Sequence, residues 1–185
     1  MVAALNKMQA DTAPRRLAGY VLSLIANAAF GIGAALAQQP LPADGRPLTA
    51  VELLALVKGR SWQWSDGAGY FSDEGRRFTA FTRSKHGATY GEGRFRLTDD
   101  GRLCLIAVWH GAGGEADATT CFLHKQADGV IYQRRQDGGD WYPFQHTPLL
   151  ETDEYAKFRN EDLVSQELAK TKAELDTKNK AQKGN

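Results

Sequence analysis

Cys104 and Cys121 are the two thiols of this chain, and with His86, His110, His124 and His146 they are the side chains best suited by type to covalent or metal chemistry. A thiolate beside a histidine is a nucleophile, a C-x-x-C pair at a helix start exchanges electrons, and four Cys and His ligands hold zinc. The spacing opposes all three. No histidine has another at i+2 or i+4, and the run "LCLIAVWHGAGGEADATTCFLHK" sets the cysteines on either side of a glycine-rich centre. If residues 111–114 form a hairpin loop, His110 faces Glu115, Ile106 faces Thr119 and Cys104 faces Cys121. The two sulfurs then lie within reach of a disulfide. Closing a loop of this size adds about 3 kcal/mol in the chain-entropy description.

Two further sets of side chains could hold a ligand. Trp64, Tyr70, Tyr90, Trp109, Tyr132 and Trp141, with His110 near a hairpin tip, could line a hollow for an apolar or sugar ligand. The same rings could instead fill the interior, which a small β domain must do with large side chains. Tyr90, Glu92, Arg94 and Arg96 alternate along one segment and so share a face, where a Glu-Arg-Arg row either orients an anion or stands as solvated surface. Glu92 and Asp117 could form a glycosidase-like pair, with nothing in the sequence to single them out. No G-x-S-x-G elbow, phosphate loop or H-E-x-x-H helix is present. The reading therefore assigns no catalytic residue, no metal and no cofactor.

The elements that must position these residues are strands. Turn signals recur at Asp66-Gly67, Asp73-Glu74-Gly75, Lys85-His86-Gly87, Asp99-Asp100-Gly101, Gly111 to Gly114, Asp128-Gly129 and Asp137-Gly138-Gly139-Asp140. Aromatic and β-branched runs lie between them. This predicts a mainly β fold, an antiparallel meander closed as a small barrel or a curved sheet, lipocalin-like in general build. Gly91 and Gly93 predict a bend, or a bed for an aromatic ring, within one strand. The strand over Leu103–Trp109 is apolar on both faces, which predicts cover on both. A short helix opens the domain, because Thr49 and Glu52 fit a capping box and Gly59 ends the apolar run.

The ends of the chain differ from this middle. Arg15 and Arg16 precede an apolar stretch from Leu17 to Leu36 that closes on Ala35-Leu36-Ala37, the pattern of a cleaved signal peptide. Residues 1–37 are read as that signal, in preference to a retained anchor, and 38–47 as a flexible linker. The stapled β domain is set at 48–146. From 147 to 185 the basic residues change from mostly arginine to mostly lysine, and a charged, helical or partly disordered tail is expected. Its stripe of Val164, Leu168, Thr171 and Leu175 is short for a coiled-coil seam.

The runs "LTAVELLALVKGRSWQWSDGAGYFSDEGRRFTAFT", "ATYGEGRFRLTDDGRLCLIAVW", "TTCFLHK", "IYQRR" and "GDWYPF" resemble a family of small exported alphaproteobacterial proteins catalogued only as a domain of unknown function. The resemblance covers about Leu48 to Phe144 and implies an exported β-rich domain with Cys104 paired to Cys121. It carries no known active site.

These readings predict an exported, non-catalytic binding or interaction module of the periplasm or cell envelope. Its partner would be a small molecule or an envelope protein, with a small hydrolase or an enzyme inhibitor acting on envelope components as the alternative. The whole chain holds 23 basic and 22 acidic side chains, too even a balance for a nucleic-acid partner. After signal cleavage no membrane association and a monomer are expected, with a coiled-coil contact through the tail as a weaker option.

Overall fold

A computed structural model of the chain describes residues 45–183. The expected signal segment, and all but the last three residues of the expected linker, lie outside the described residues. The turn signals become one antiparallel sheet. Its strands are β1 (Arg46–Pro47), β2 (Arg60–Trp64), β3 (Gly67–Phe71), β4 (Arg77–Ser84), β5 (Gly87–Leu97), β6 (Arg102–Gly111), β7 (Gly114–Ala127), β8 (Val130–Arg135), β9 (Tyr142–Gln145) and β10 (Phe158–Arg159). The order is β10-β2-β3-β4-β5-β6-β7-β8-β9, with β1 paired to β7, so the predicted meander runs unbroken from β2 to β9. The sheet curls into a half-barrel, in keeping with a lipocalin-like build.

Alternation decides what goes inside. Trp62, Phe71, Phe78, Phe95, Leu97, Leu103, Phe122 and Phe144 point to the concave side and form one core with Phe158. Helix α1 (Ala50–Val57) closes one end. Its Thr49 and Glu52 make the predicted capping box, and Leu53 and Val57 are buried against the sheet. Gly59 ends the helix at φ 69°, a conformation only glycine takes without cost.

The two ends of the sheet meet through rings. Phe158 of β10 stands 5.8 Å from Phe144 of β9 between ring centroids, and 5.1 Å from Tyr155 in the 3-10 turn Glu154–Lys157. The stretch after residue 147, expected as a separate tail, thus supplies an edge strand and part of the core. Ser61 ties it down, its hydroxyl donating to the Glu161 carbonyl and accepting from the Leu163 amide at 2.8 and 3.0 Å.

Beyond it, helix α2 (Ser165–Lys183) lies on the convex side against β4 and β5. Val164, Thr171 and Leu175 of the predicted stripe are buried there, so this chain's own sheet occupies the seam that a coiled-coil partner would use. The Asp162 carboxylate caps α2, accepting from the Val164 and Ser165 amides. Burial alone would raise that carboxyl's pKa, but the hydrogen bonds from Ser165 and Val164 outweigh it and hold it below its usual value.

Candidate functional site

β5, β6 and β7 are the longest strands in sequence, and their convex face carries the most chemistry in the fold. Register places Tyr90, His110 and Glu115 in one cross-strand row, then Glu92, Val108 and Asp117, then Arg94, Ile106 and Thr119, then Arg96, Cys104 and Cys121. On the concave side of β5 the strand has no Cβ at two positions. A Cβ on Gly93 would meet the Ile106 carbonyl oxygen at 1.9 Å, and one on Gly91 would meet the Trp109 ring at 3.0 Å. Both expected uses of glycine occur: a close approach of β5 to β6, and a bed for a ring.

Outside that bend lies an open groove of about 710 Å³, lined by side chains of all three strands and by Arg76. Ile106 on its floor is 40 % exposed. The structure thus departs from the expectation that β6 is covered on both faces. Its concave face is buried by the core, whereas its convex face is open at Ile106, because among the described residues α2 packs on β4 and β5.

Arginines gather at one end of the groove. Arg76, Arg94 and Arg96 line it, and Arg77 stands directly opposite Arg94 across β4 and β5. Arg76 adopts φ 54°, and its guanidinium lies 5.9 Å from the Phe95 ring centroid. Among the described residues none of these four has a carboxylate within 4.0 Å. Four arginines elsewhere are paired, Arg46 with Glu52, Arg102 with Asp100 and Arg135 with Asp137 at 2.8 Å and Arg83 with Glu174 at 3.0 Å, whereas Arg60, Arg134 and Arg159 meet rings or backbone carbonyls.

The other end of the groove is acidic. Glu92 is held by Lys172 of α2 at 2.7 Å, and Asp117 is exposed. Both carboxylates of the glycosidase-like pair therefore line one groove. Neither is desolvated, which the proton-donating member of such a pair requires.

The sequence-derived candidates divide between the two faces. The Cys104–Cys121 disulfide forms in the predicted register, although the loop is tighter than expected and leaves Gly111 still paired with Gly114. Trp64 and Trp109 lie on the concave side against the core. Tyr70, Tyr90, Tyr132 and Trp141 are on the convex side in three separate places. Tyr90 stacks on His110 at 4.4 Å, with the Lys172 ammonium 5.1 Å from its ring. Tyr132 is buried near Trp141, whose ring has Lys125 at 4.6 Å and Arg134 at 5.0 Å. These aromatics share no single hollow. A smaller groove of about 620 Å³ beside Trp64 is lined mainly by Gln63, Glu151, Lys157 and Arg159.

Two histidines have polar partners in the interior. His146 Nδ1 lies 2.6 Å from the buried Asp153 carboxylate, which also accepts from the His146 and Leu150 amides and so clamps the loop between them. Hydrogen bonds from those amides and from the His146 side chain hold Asp153 below the usual carboxylate range against the opposing effect of its burial. His124 links Gly101 to Gln133, which in turn accepts from the Tyr142 hydroxyl. Burial pushes that hydroxyl up to about 12. Among the described residues no three His, Cys, Asp or Glu side chains stand together as metal ligands, and no helix is long and apolar enough to cross a membrane.

A family described as Protein of unknown function (DUF995) matches residues 21–164, the whole sheet and its groove included. The chain belongs to this family. The family match stops one residue before α2, so the helix lies beyond it. No curated protein and no solved structure matches the chain.

Proposed function

We propose that this chain is an exported, non-catalytic binding module of the periplasm or cell envelope, and that the groove over β5, β6 and β7 takes its ligand by a negatively charged group. One observation carries this reading: Arg76, Arg94 and Arg96 line a single groove with no carboxylate partner among the described residues. Guanidinium groups gathered in this way repel one another, and Arg77 directly opposite Arg94 adds to the cost. An anion in the groove offsets that cost and gains bidentate hydrogen bonds. The exposed Ile106 gives the same ligand an apolar surface to cover. Export rests on the signal-like segment before Gln38, and the disulfide is compatible with an oxidising compartment.

The test is native mass spectrometry of the protein purified from its own periplasm, beside an Arg94→Ala/Arg96→Ala variant. The expected result is processing near Gln38 and a bound anionic mass that the variant lacks. An unprocessed cytoplasmic chain, or a bound mass that the variant keeps, overturns the reading.

A further inference from the structure

We infer that the charged group this groove accepts is a phosphate monoester at one end of an apolar body. The inference rests on the groove being the binding site and narrows what it binds.

The number of donors favours a phosphate over a carboxylate. A carboxylate is satisfied by one guanidinium fork, whereas three arginines line this end, Arg94 and Arg96 on one face of β5 and Arg76 beside the Phe95 ring, with Arg77 directly opposite Arg94. A phosphate monoester carries about 1.5 to 2 negative charges at pH 7 and presents three terminal oxygens, a match for several arginines at once.

The groove is also polar along its length. Glu92 and Arg96 are four residues apart on β5, which is about 13 Å of strand, and Asp117 stands level with Glu92 two strands away. A polyanion lying along the groove would carry its charge over Asp117, so the negative charge must be confined to the arginine end. Ile106, level with Arg94, and Val108, level with Glu92, form an apolar floor along the middle strand on which an apolar body can lie.

The groove volume of about 710 Å³ is in the range of small-molecule sites. Glu115 and Asp117 are exposed on the same face and would be driven against an anionic bilayer, so the occupant is a single amphiphile rather than a membrane surface.

The experiment is calorimetric titration of the full chain with octyl phosphate below its micelle-forming concentration. Octyl sulfate and inorganic phosphate are titrated alongside, and co-sedimentation is measured with phosphatidylcholine vesicles containing phosphatidic acid. Octyl phosphate is expected to bind on the order of tenfold tighter than octyl sulfate or inorganic phosphate, and Arg94→Gln and Arg96→Gln each to weaken it by on the order of tenfold. Both arginines are exposed, so these variants retain the fold.

If octyl sulfate binds as tightly and the variants lose both ligands, the phosphate inference falls while the anion groove stands. Both fall if neither amphiphile binds, or if both variants bind octyl phosphate as the parent does. Vesicle binding without octyl phosphate binding overturns the single-molecule occupant.

Discussion

Cys104 and Cys121 face each other across β6 and β7 with Cα atoms 4.0 Å apart, and Arg96 completes the same cross-strand row. The bridge therefore fixes the register beneath the arginine end of the groove. A one-residue slip of β6 would send Ile106 to the concave side, and a slip of β7 would send Thr119 there.

The bridge closes a short loop, so its contribution acts mainly on the unfolded chain. The Cys104→Ala/Cys121→Ala variant should keep the sheet's far-ultraviolet spectrum and lose about 3 kcal/mol in urea unfolding. A midpoint equal to that of the oxidised parent would contradict this.

A pH effect is expected from His124. It is 2 % exposed, with Nδ1 3.3 Å from the Gly101 carbonyl and Nε2 2.7 Å from Gln133 Nε2. A carbonyl only accepts, so Nδ1 carries the proton and Nε2 accepts from the Gln133 amide. Burial holds the pKa of His124 down to about 4, against an ordinary value of 6.5. The unfolded chain thus takes up a proton near pH 6.5 while the folded chain stays neutral. Stability is level above that pH and falls as pH drops towards 4, by up to about 1.4 kcal/mol per unit. Urea midpoints at pH 8, 6.5, 5.5 and 4.5 should trace this decline, and His124→Gln should flatten it. An equally steep decline in the variant would remove His124 as its cause.

Much of this architecture can be read from the sequence because it is local. The capping box at Thr49, the turn signals and the Cys104–Cys121 register all follow from residues close along the chain. The seam does not, because Phe158 sits in the polar run "YAKFRN" and becomes a core residue only when β10 meets β2. Part of the groove was also readable. Period-two alternation places Glu92, Arg94 and Arg96 on one face, whereas Arg77 joins them only through the β4–β5 register. The signal "SKHG" was present, since a two-residue turn at Lys85-His86 pairs Ser84 with Gly87 and so Arg77 with Arg94. The run "RRFTAFT" places Arg77 on a strand, but its nearness to Arg94 follows only once that strand is paired with β5. The openness of β6 was masked by composition: a strand apolar on both sides reads as covered whether or not a second layer exists.

α2 is held by the buried Thr171 and Leu175 and by ion pairs to Arg83 and Glu92, contacts confined to β4 and β5, so its loss should leave the sheet intact. Arg83 reaches Glu174 at 3.0 Å, Glu167 at 3.5 Å and the Thr171 hydroxyl at 3.2 Å. These pairs are partly exposed, so their contribution is small and screened by salt. Arg83→Ala should cost less than about 1 kcal/mol of global stability while raising amide exchange in α2 roughly fivefold. A chain ending at Val164 should still give the sheet's spectrum and a single unfolding transition. Slowly exchanging α2 amides in the Arg83→Ala variant would show that Thr171 and Leu175 hold the helix without the Arg83 pairs.

Phe158 is the residue on which the seam depends. Its ring lies 5.5 Å from Trp62, 6.2 Å from Phe71, 5.8 Å from Phe144 and 5.1 Å from Tyr155, joining both ends of the sheet to the core. The ladder contributes little there, since β10 pairs with β2 over two residues, Phe158 with Trp62 and Arg159 with Ser61. If rings rather than backbone bonds close the half-barrel, the cost of a substitution should follow the volume removed. Phe158→Ala should lose about 3–5 kcal/mol, a large part of what a domain of this size has, and Phe158→Leu distinctly less. Arg159→Ala, which removes a partly exposed side chain that donates to the Ala156 and Phe158 carbonyls, should stay within about 1 kcal/mol of the parent. Urea unfolding followed by tryptophan fluorescence reads all three, because Trp62 stacks on the ring being removed. Equal losses for Phe158→Ala and Arg159→Ala would mean that the guanidinium's bonds to the Ala156 and Phe158 carbonyls hold the seam as firmly as the aromatic contact does.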